Sequence, residues 1–157
     1  MLSIIVAIDL NGGIGNNNEL LFHVKEDMRR FKELTTNHKV IMGRKTFESL
    51  PNGALPNRTN IVLSRSKMGL DEELDICYMN IDMVLEEYRD SNEEVFIIGG
   101  GEIYSQLLPY CNKIYLTIGF GEFEADTFFN FNKDEWEIDG LSTMHNTFAF
   151  YNYKRKE

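Results

Sequence analysis

The stretch EVFIIGGGEIYSQLL, residues 94–108, decides the fold of this chain. Residues 94–100 predict a buried strand, because a short apolar run that ends in glycine is typical of the interior of a sheet. Residues 100–108 then predict the start of a helix, so one buried strand leads directly into one helix. This arrangement is typical of a mostly parallel sheet with helices on its faces.

The same alternation continues along most of the chain. Further strands are predicted at residues 2–8, 39–43, 59–64, 74–79 and 113–119, and further helices at 25–35, 44–50 and 81–89. Residues 11–23 predict a long polar loop, and residues 136–155 alternate as an antiparallel hairpin does. We therefore predict one α/β domain over residues 1–157, with a mostly parallel sheet and an antiparallel C-terminal edge.

Composition excludes several classes of function. The chain has 157 residues, with 16 Lys and Arg against 25 Asp and Glu, and its net charge of −9 argues against binding to nucleic acid or anionic membranes. The first apolar run is too short for a signal peptide or a membrane span. Two isolated cysteines, Cys77 and Cys111, predict a reduced, cytoplasmic protein, and the three histidines have no metal-ligand spacing.

One carboxylate stands out on the helix predicted at residues 25–35. Steps of about 100° per residue place Asp27 within an apolar arc formed by Val24, Met28, Phe31, Leu34 and Thr35. The opposite side carries Lys25, Glu26, Arg29, Arg30, Lys32 and Glu33. Asp27 then either stabilises the helix dipole in the first turn or serves as an acid held in a pocket for proton transfer.

Three predicted strand ends carry residues suited to anions. They are Gly43-Arg44-Lys45-Thr46, Ser64-Arg65-Ser66 and Gly99-Gly100-Gly101. Amide groups at a helix N-terminus bind phosphate, and glycine allows close approach, although glycines also end strands without any such role. The segment NGGIGNNN (11–18) lacks the third glycine of a Rossmann fingerprint, so that motif is not supported. Two basic phosphate sites together with a buried acid suggest a dinucleotide enzyme, although no single motif specifies one.

Several segments together carry a more specific signal. They are SIIVAIDLNGGIGNNNEL (3–20), DMRRFKELT (27–35), VIMGRKTFESL (40–50), LPNRTNIVLSR (55–65), VFIIGGGEIYSQLLP (95–109), IYLTIG (114–119) and ADTFFN (125–130). In these segments and in their order, the chain resembles bacterial chromosomal dihydrofolate reductase over essentially its full length. The most specific matches are VIMGRKTFES and IIGGGEIY.

The resemblance implies a reaction, a fold and a role for the acid. Family members reduce 7,8-dihydrofolate to tetrahydrofolate with NADPH, in one-carbon metabolism, and are targets of antifolates. The implied fold has about eight strands and about four helices. Asp27 matches the acid that binds pteridine N3 and the 2-amino group and supports protonation of N5, while hydride reaches C6. Thr117 matches the hydroxyl residue that contacts this acid, and Phe22 stands at a further catalytic position.

The resemblance also implies the binding residues, although plain core or surface roles remain open for each one alone. Residues expected at the substrate are Ile5, Asp27, Met28, Phe31, Leu50, Leu55, Arg58, Ile98 and Thr117. Those expected at the cofactor are Ala7, Ile14, Gly15, Asn18, Leu20, Gly43, Arg44, Lys45, Thr46, Leu63, Ser64, Arg65, Gly99, Gly100, Gly101, Glu102, Ile103, Tyr104 and Gln106. Among them, Arg58 is expected to bind the glutamate tail, Arg44 and Arg65 the 2′-phosphate, and Gly99-Gly100 to form a cis peptide.

Two departures from the family pattern accompany the match. Leu21-Phe22 stands where the family usually has Pro-Trp, which affects the loop over the nicotinamide, and Asn52-Gly53 stands where many bacterial members have an arginine.

The alternative functions are a reductase of the riboflavin pathway and a non-catalytic protein that binds folate, a dinucleotide or RNA. Asp27 and Arg58 favour the folate reaction, and the size favours a monomer.

Overall fold

A central sheet organises the part of the chain described by the computed structural model, which is residues 1–16, 19–21 and 24–157. The strands are β1 (Leu2–Ile8), β2 (Gly13–Asn16), β3 (Glu19–Leu20), β4 (Lys39–Met42), β5 (Thr59–Leu63), β6 (Gly69–Asp71), β7 (Ile76–Met79), β8 (Val95–Gly99), β9 (Lys113–Gly119), β10 (Thr127–Phe128), β11 (Trp136–Ile138), β12 (Thr143–Met144) and β13 (Phe148–Arg155). The helices are α1 (Lys25–Thr35), α2 (Arg44–Ser49), α3 (Ile81–Tyr88) and α4 (Gly101–Leu107), and 3-10 turns occur at Leu108–Tyr110 and Lys133–Glu135.

The strand order explains how the two edges differ from the centre. The main sheet runs β11-β13-β9-β1-β8-β4-β5-β7-β6, with β12 beside β13, and a smaller sheet runs β10-β2-β3. The six strands from β9 to β7 in this order pair in parallel, whereas β13 and β6 pair antiparallel at the two ends. The predicted parallel sheet with an antiparallel C-terminal edge is therefore confirmed.

Both faces of this sheet are covered. Successive residues of a strand point to opposite sides, so each face has its own apolar cluster. On β1, Ile5 joins a cluster with Phe31 of α1 and Phe47 of α2. Its neighbours Ile4 and Val6 join the other cluster, which includes residues of α3 and α4. The helix that carries Asp27 and the helix that follows the glycine turn thus cover opposite faces of the sheet.

Some predicted elements need correction. Residues 11–23 are not one long loop, because β2 and β3 pair with each other there and β2 also pairs with β10. The strand predicted at 74–79 begins only at Ile76, and β6 was not predicted at all. The count exceeds about eight because β2, β3, β6, β10 and β12 have only 4, 2, 3, 2 and 2 residues, too few for an alternating pattern to show.

Across the described ranges, no helix combines the length and the apolar character needed to cross a bilayer. The same residues also contain no group of three or more His, Cys, Asp or Glu side chains that could hold a metal ion.

Candidate active site

A cleft of about 1020 Å³ lies at the carboxyl ends of the parallel strands. It is lined by Ala7 near the end of β1, by Gly99 at the end of β8, and by Gly43, Ser64 and Asn80 directly after β4, β5 and β7. Ligands of open α/β sheets bind at this edge, because the loops there leave a crevice between neighbouring strands. Its volume is at the upper limit for a small-molecule pocket and suits an extended ligand.

The residues predicted at the cofactor converge on this cleft. Every one of them that the structure describes is part of its lining, whereas Asn18 and the predicted catalytic residue Phe22 lie outside the described residues. The lining residues in question are Ala7, Ile14, Gly15, Leu20, Gly43, Arg44, Lys45, Thr46, Leu63, Ser64, Arg65, Gly99, Gly100, Gly101, Glu102, Ile103, Tyr104 and Gln106. The sequence thus predicted the wall of the cleft, and contact with a cofactor stays a prediction.

The glycine turn before α4 is necessary for the shape of this wall. Gly99 has a φ of +129°, which side chains rarely adopt, and the Gly99-Gly100 peptide is cis, as expected. A Cβ added at Gly101 would lie 2.4 Å from Cγ2 of Thr127. The turn therefore has no room for a side chain at Gly101, and all three glycines line the cleft.

Three basic side chains give the cleft the positive charge that the chain as a whole lacks. Arg44, Lys45 and Arg65 are exposed and line it. Arg44 already holds an ion pair, since its Nη1 donates to Oε1 and Oε2 of Glu48 at 2.8 and 2.9 Å. An exposed pair of this kind contributes little free energy, so a phosphate group can compete for the guanidinium.

Some lining residues were missed. Asn80, Ile81 and Asp82 at the start of α3 line the cleft, and so does Thr127 of β10. Asn80 caps the helix, because its Oδ1 accepts from the Met83 amide at 2.8 Å. An Asn between an apolar strand and an amphipathic helix is a recognisable N-cap, so this fourth strand end was visible in the sequence.

Asp27 lies beside the cleft and is held from another strand. Thr117 of β9 donates its hydroxyl to Oδ1 of Asp27 at 2.5 Å, and Thr117 pairs in register with Ala7, which lines the cleft. Within the part of the chain that the structure describes, no side chain caps α1, so Asp27 does not act as its N-cap. Burial raises the pKa of Asp27, and the Thr117 hydrogen bond and the charge of Arg30 oppose that rise.

Two residues of α1 have a different exposure from the one that the helical arc predicted. Met28 was placed on the apolar side but is 62% exposed, so its side chain is not part of the packed core. Arg30 was placed on the solvated side but is only half-exposed and contacts β9 and β13. Arg30 lies about 40° beyond Leu34 on the wheel, at the boundary of the arc, where its long side chain reaches the sheet.

The other predicted substrate residues share one side of the sheet. Ile5 is buried there, and Phe31, Leu50, Leu55 and Ile98 are partly buried around it. The carbonyl of Ile5, a residue expected at the substrate, accepts the Tyr104 hydroxyl at 2.8 Å. A carbonyl oxygen has a second lone pair, so this bond leaves room for a ligand donor.

Arg58 stands at the outer end of the same apolar cluster. Its Nε donates to the Pro56 carbonyl at 2.9 Å, and its Nη1 donates to Oγ1 of Thr35 at 3.2 Å. The guanidinium also lies 5.9 Å from the centre of the Phe31 ring. Partial burial lowers the pKa of Arg58. The protein thus holds the side chain through Nε and Nη1, and a guanidinium has further N–H donors, on Nη2, that suit an anion.

Fold and site together define an α/β enzyme of the dinucleotide-dependent type, with an acid beside the cleft. The family model described as "Dihydrofolate reductase" matches residues 1–155, and the chain belongs to this family. It is 44% identical over 138 residues to dihydrofolate reductase of Haemophilus influenzae, covering 87% of this chain and 84% of that protein. For the Bacillus subtilis enzyme the identity is 39% over 142 residues, with 88% and 81% covered.

A solved structure supports the same conclusion. Dihydrofolate reductase from Enterococcus faecalis, complexed with NADP(H) and RAB-propyl, is similar with a TM-score of 0.86 and 30% identity. The match covers 100% of this chain and 97% of that one. The predicted family and fold class are therefore confirmed.

Proposed function

We propose that this protein reduces 7,8-dihydrofolate to tetrahydrofolate with NADPH, and that Asp27 supports protonation of N5. The observation that carries the proposal is the Asp27–Thr117 pair, joined at 2.5 Å, directly beside the end of a cleft large enough for a dinucleotide. The relatives in Haemophilus influenzae and Bacillus subtilis, both named dihydrofolate reductase, support the same reaction.

The features of the cleft fit NADPH. Its glycine turn at Gly99 and Gly101 exposes backbone to a ligand, and Arg44 and Arg65 bring positive charge to the same wall. A 2′-phosphate is the group that separates NADPH from NADH, and guanidinium groups bind phosphate through two parallel hydrogen bonds. When bound, the reduced nicotinamide supplies the hydride. The Enterococcus faecalis relative, solved with NADP(H), supports this assignment.

Asp27 performs two tasks in the proposed reaction. Its carboxylate accepts hydrogen bonds from N3 and the 2-amino group of the pterin, which fixes the ring against the apolar side chains Phe31 and Ile98. Its negative charge then favours a proton on N5, because an opposite charge nearby stabilises the charged form of a base. A protonated N5 makes C6 a better acceptor of hydride, so the N5–C6 double bond gains one hydride and one proton.

The remaining substrate contacts follow from the same placement of the pterin ring on Asp27. Leu50 and Leu55 are half-buried beside Phe31 and are suited to the aminobenzoyl ring. Arg58, fixed by Pro56 and Thr35, is suited to the α-carboxylate of the glutamate tail. Antifolates that copy the diaminopyrimidine part of the substrate should occupy the same pocket.

The direct test is a spectrophotometric assay with NADPH and 7,8-dihydrofolate. We expect loss of NADPH absorbance with this substrate and no loss with a phosphorylated ribosylaminopyrimidine, the substrate type of the related riboflavin-pathway reductase. Turnover of the second substrate alone would contradict the proposal. Absence of any turnover, with NADPH binding retained, would indicate a non-catalytic dinucleotide-binding protein.

Two further predictions concern the state of the protein in the cell. Both cysteines are free, with Cys111 buried and Cys77 partly buried, which fits a reducing compartment. A cytoplasmic location and a monomeric state are the two predictions. Sedimentation of the purified protein and fractionation of its source cells would test them separately.

A further inference from the structure

Arg30 is a partly buried cation next to the proposed acid. Its guanidinium extends from α1 to the sheet, where Nη1 approaches the Leu116 carbonyl at 3.4 Å and Oγ1 of Thr117 at 3.5 Å. Its Nη2 donates to Oδ1 of Asn152 on β13. The group also lies 4.5 Å from the centre of the Phe150 ring and 5.9 Å from that of Tyr115. Strands β9 and β13 therefore fix the guanidinium in one place.

The same threonine links this cation to the acid. Thr117 donates its hydroxyl to Asp27, so Nη1 of Arg30 can reach only a lone pair of that oxygen. A cation on the oxygen makes the hydroxyl a better donor toward the carboxylate, because hydrogen bonds in a chain polarise one another. Arg30 thus acts on Asp27 in two ways, through the hydroxyl and through its own charge.

From this geometry we infer that Arg30 is a positioning residue of the site, which orients Thr117 and favours the ionised form of Asp27. The role in catalysis rests on the proposed function, whereas the effect on the carboxyl group does not. Arg30 thereby opposes the effect of burial on Asp27 and shifts to lower pH the range in which this carboxyl changes its protonation state, and with it the pH dependence of the proposed hydride transfer.

The other described residues that surround Asp27 and Arg30 bring no second positive charge to the acid. Tyr104 of α4 faces Asp27, and Tyr115 of β9 faces Arg30. Burial raises the pKa of both phenols, so they remain neutral while Asp27 titrates. Glu94 accepts the Tyr115 hydroxyl at 2.9 Å and thus faces that ring, while β13 contributes the uncharged side chains of Phe150 and Asn152. Among the described residues that face Asp27, Arg30 supplies the positive charge.

The test compares two arginines of one helix. The carboxyl carbon of Asp27 is titrated by NMR in the ligand-free protein, and its signal is identified by its loss in Asp27→Asn. Replacing Arg30 by methionine keeps the length of the side chain and removes the charge. We expect the affinity of Asp27 for a proton to rise about three- to tenfold. Arg29→Met, which removes the same charge from the exposed neighbour, should change that affinity less than twofold.

Further variants separate charge from geometry. Arg30→Lys should stay closer to the unmodified protein than Arg30→Met does, because the charge remains. Should Arg30→Met fail to fold, Asn152→Leu releases the guanidinium and should still raise the proton affinity more than Arg29→Met. Equal shifts in Arg30→Met and Arg29→Met, or no shift in Asn152→Leu when Arg30→Met is unfolded, would overturn the inference.

A kinetic readout connects the inference with the reaction. The midpoint of the pH profile of single-turnover hydride transfer should move to higher pH in Arg30→Met and stay in place in Arg29→Met. A midpoint that stays in place in Arg30→Met, although the NMR titration moves, would overturn the kinetic part. If no variant and not even the unmodified protein reduces dihydrofolate, the proposed function fails, while the NMR titration still decides whether Arg30 acts on Asp27.

Discussion

Asp9 and Asp27 are two carboxylates removed from water, and the fold uses them differently. Asp9 directly follows β1 and is 1% exposed. Its Oδ1 accepts from the amides of Asn11 and Gly13 at 2.9 and 2.8 Å, and its Oδ2 accepts from the Phe123 amide at 3.0 Å. Asp27 is only partly buried and accepts the Thr117 hydroxyl through Oδ1.

The difference shows how a structural acid can be told from a functional one. The backbone amides of Asn11, Gly13 and Phe123 use both oxygens of Asp9, so this residue joins the chain after β1 to the segment near Phe123. Asp27 keeps acceptor capacity on the side of the cleft, which a ligand with two N–H groups can use. The same substitution at the two positions should therefore have opposite consequences.

The largest expected effect is on catalysis at Asp27. Asp27→Asn keeps the size of the side chain and removes the acid, so hydride transfer at neutral pH should fall by a factor of about 10²–10⁴. Glu26→Gln removes a charge from the exposed neighbour and should leave the rate nearly unchanged. Stopped-flow single-turnover measurements would check both. A near-normal rate in Asp27→Asn would show that Asp27 only stabilises the helix dipole in the first turn of α1.

The next effect is on stability at Asp9. Asp9→Asn turns one acceptor oxygen into a donor, and whichever way the amide is oriented, at least one backbone N–H then faces another N–H. We expect the free energy of unfolding to fall by about 1–3 kcal/mol, the usual penalty for a buried polar group without a partner. Chemical denaturation would measure it. An unchanged midpoint would show that these loops do not depend on the carboxylate.

These two carboxylates also show how far sequence reasoning could reach. Two parts of the cleft were predictable because Gly43 after β4 and Gly99 at the end of β8 lie at local junctions of strand and helix, whereas most of the other lining residues came from the family resemblance. The partner of Asp27 is 90 residues away and that of Arg30 is 122 residues away. Periodicity places a residue on a face of its own helix but does not show which strand lies opposite.

Asp9 was missed for a related reason. It follows an apolar strand and precedes Leu10, Asn11 and glycines, a pattern typical of any turn. Its burial results from the Phe123 segment, which the sequence does not bring close. Thr117 came from the family resemblance, because a threonine within a strand is ordinary by itself.

A smaller effect is expected from the partner of Asp27. Thr117→Val keeps the shape and removes the hydroxyl, so the hydrogen bond that lowers the pKa of Asp27 is lost. The midpoint of the pH profile should rise, and hydride transfer at a fixed pH should change by a factor of about two to ten, the worth of one hydrogen bond. Thr117→Ser should restore the behaviour of the unmodified protein. Equal behaviour of the Val and Ser variants would show that the methyl group matters and not the hydroxyl.

The smallest effect is on stability at Asp27. Burial raises the pKa of this carboxyl above the ordinary 3.8, so the folded protein binds its proton more tightly than the unfolded chain. The tighter binding of this proton stabilises the folded state fully below pH 3.8, and the stabilisation is lost as pH rises through the folded-state pKa. Asp27→Asn should therefore be more stable at neutral pH, by less than about 1 kcal/mol because solvent still reaches the group. A less stable variant at neutral pH, measured by denaturation, would contradict this sign.

The most direct test of the central claim is the ratio of single-turnover hydride-transfer rates of the unmodified protein and Asp27→Asn across pH. If Asp27 supports the protonation of N5, the variant depends on protons from solvent, and its rate should rise as the pH falls. The ratio should then be largest at neutral pH and shrink steadily toward acid pH. A ratio that stays constant over the whole range would contradict the account, because Asp27 would then hold the substrate without any part in proton transfer.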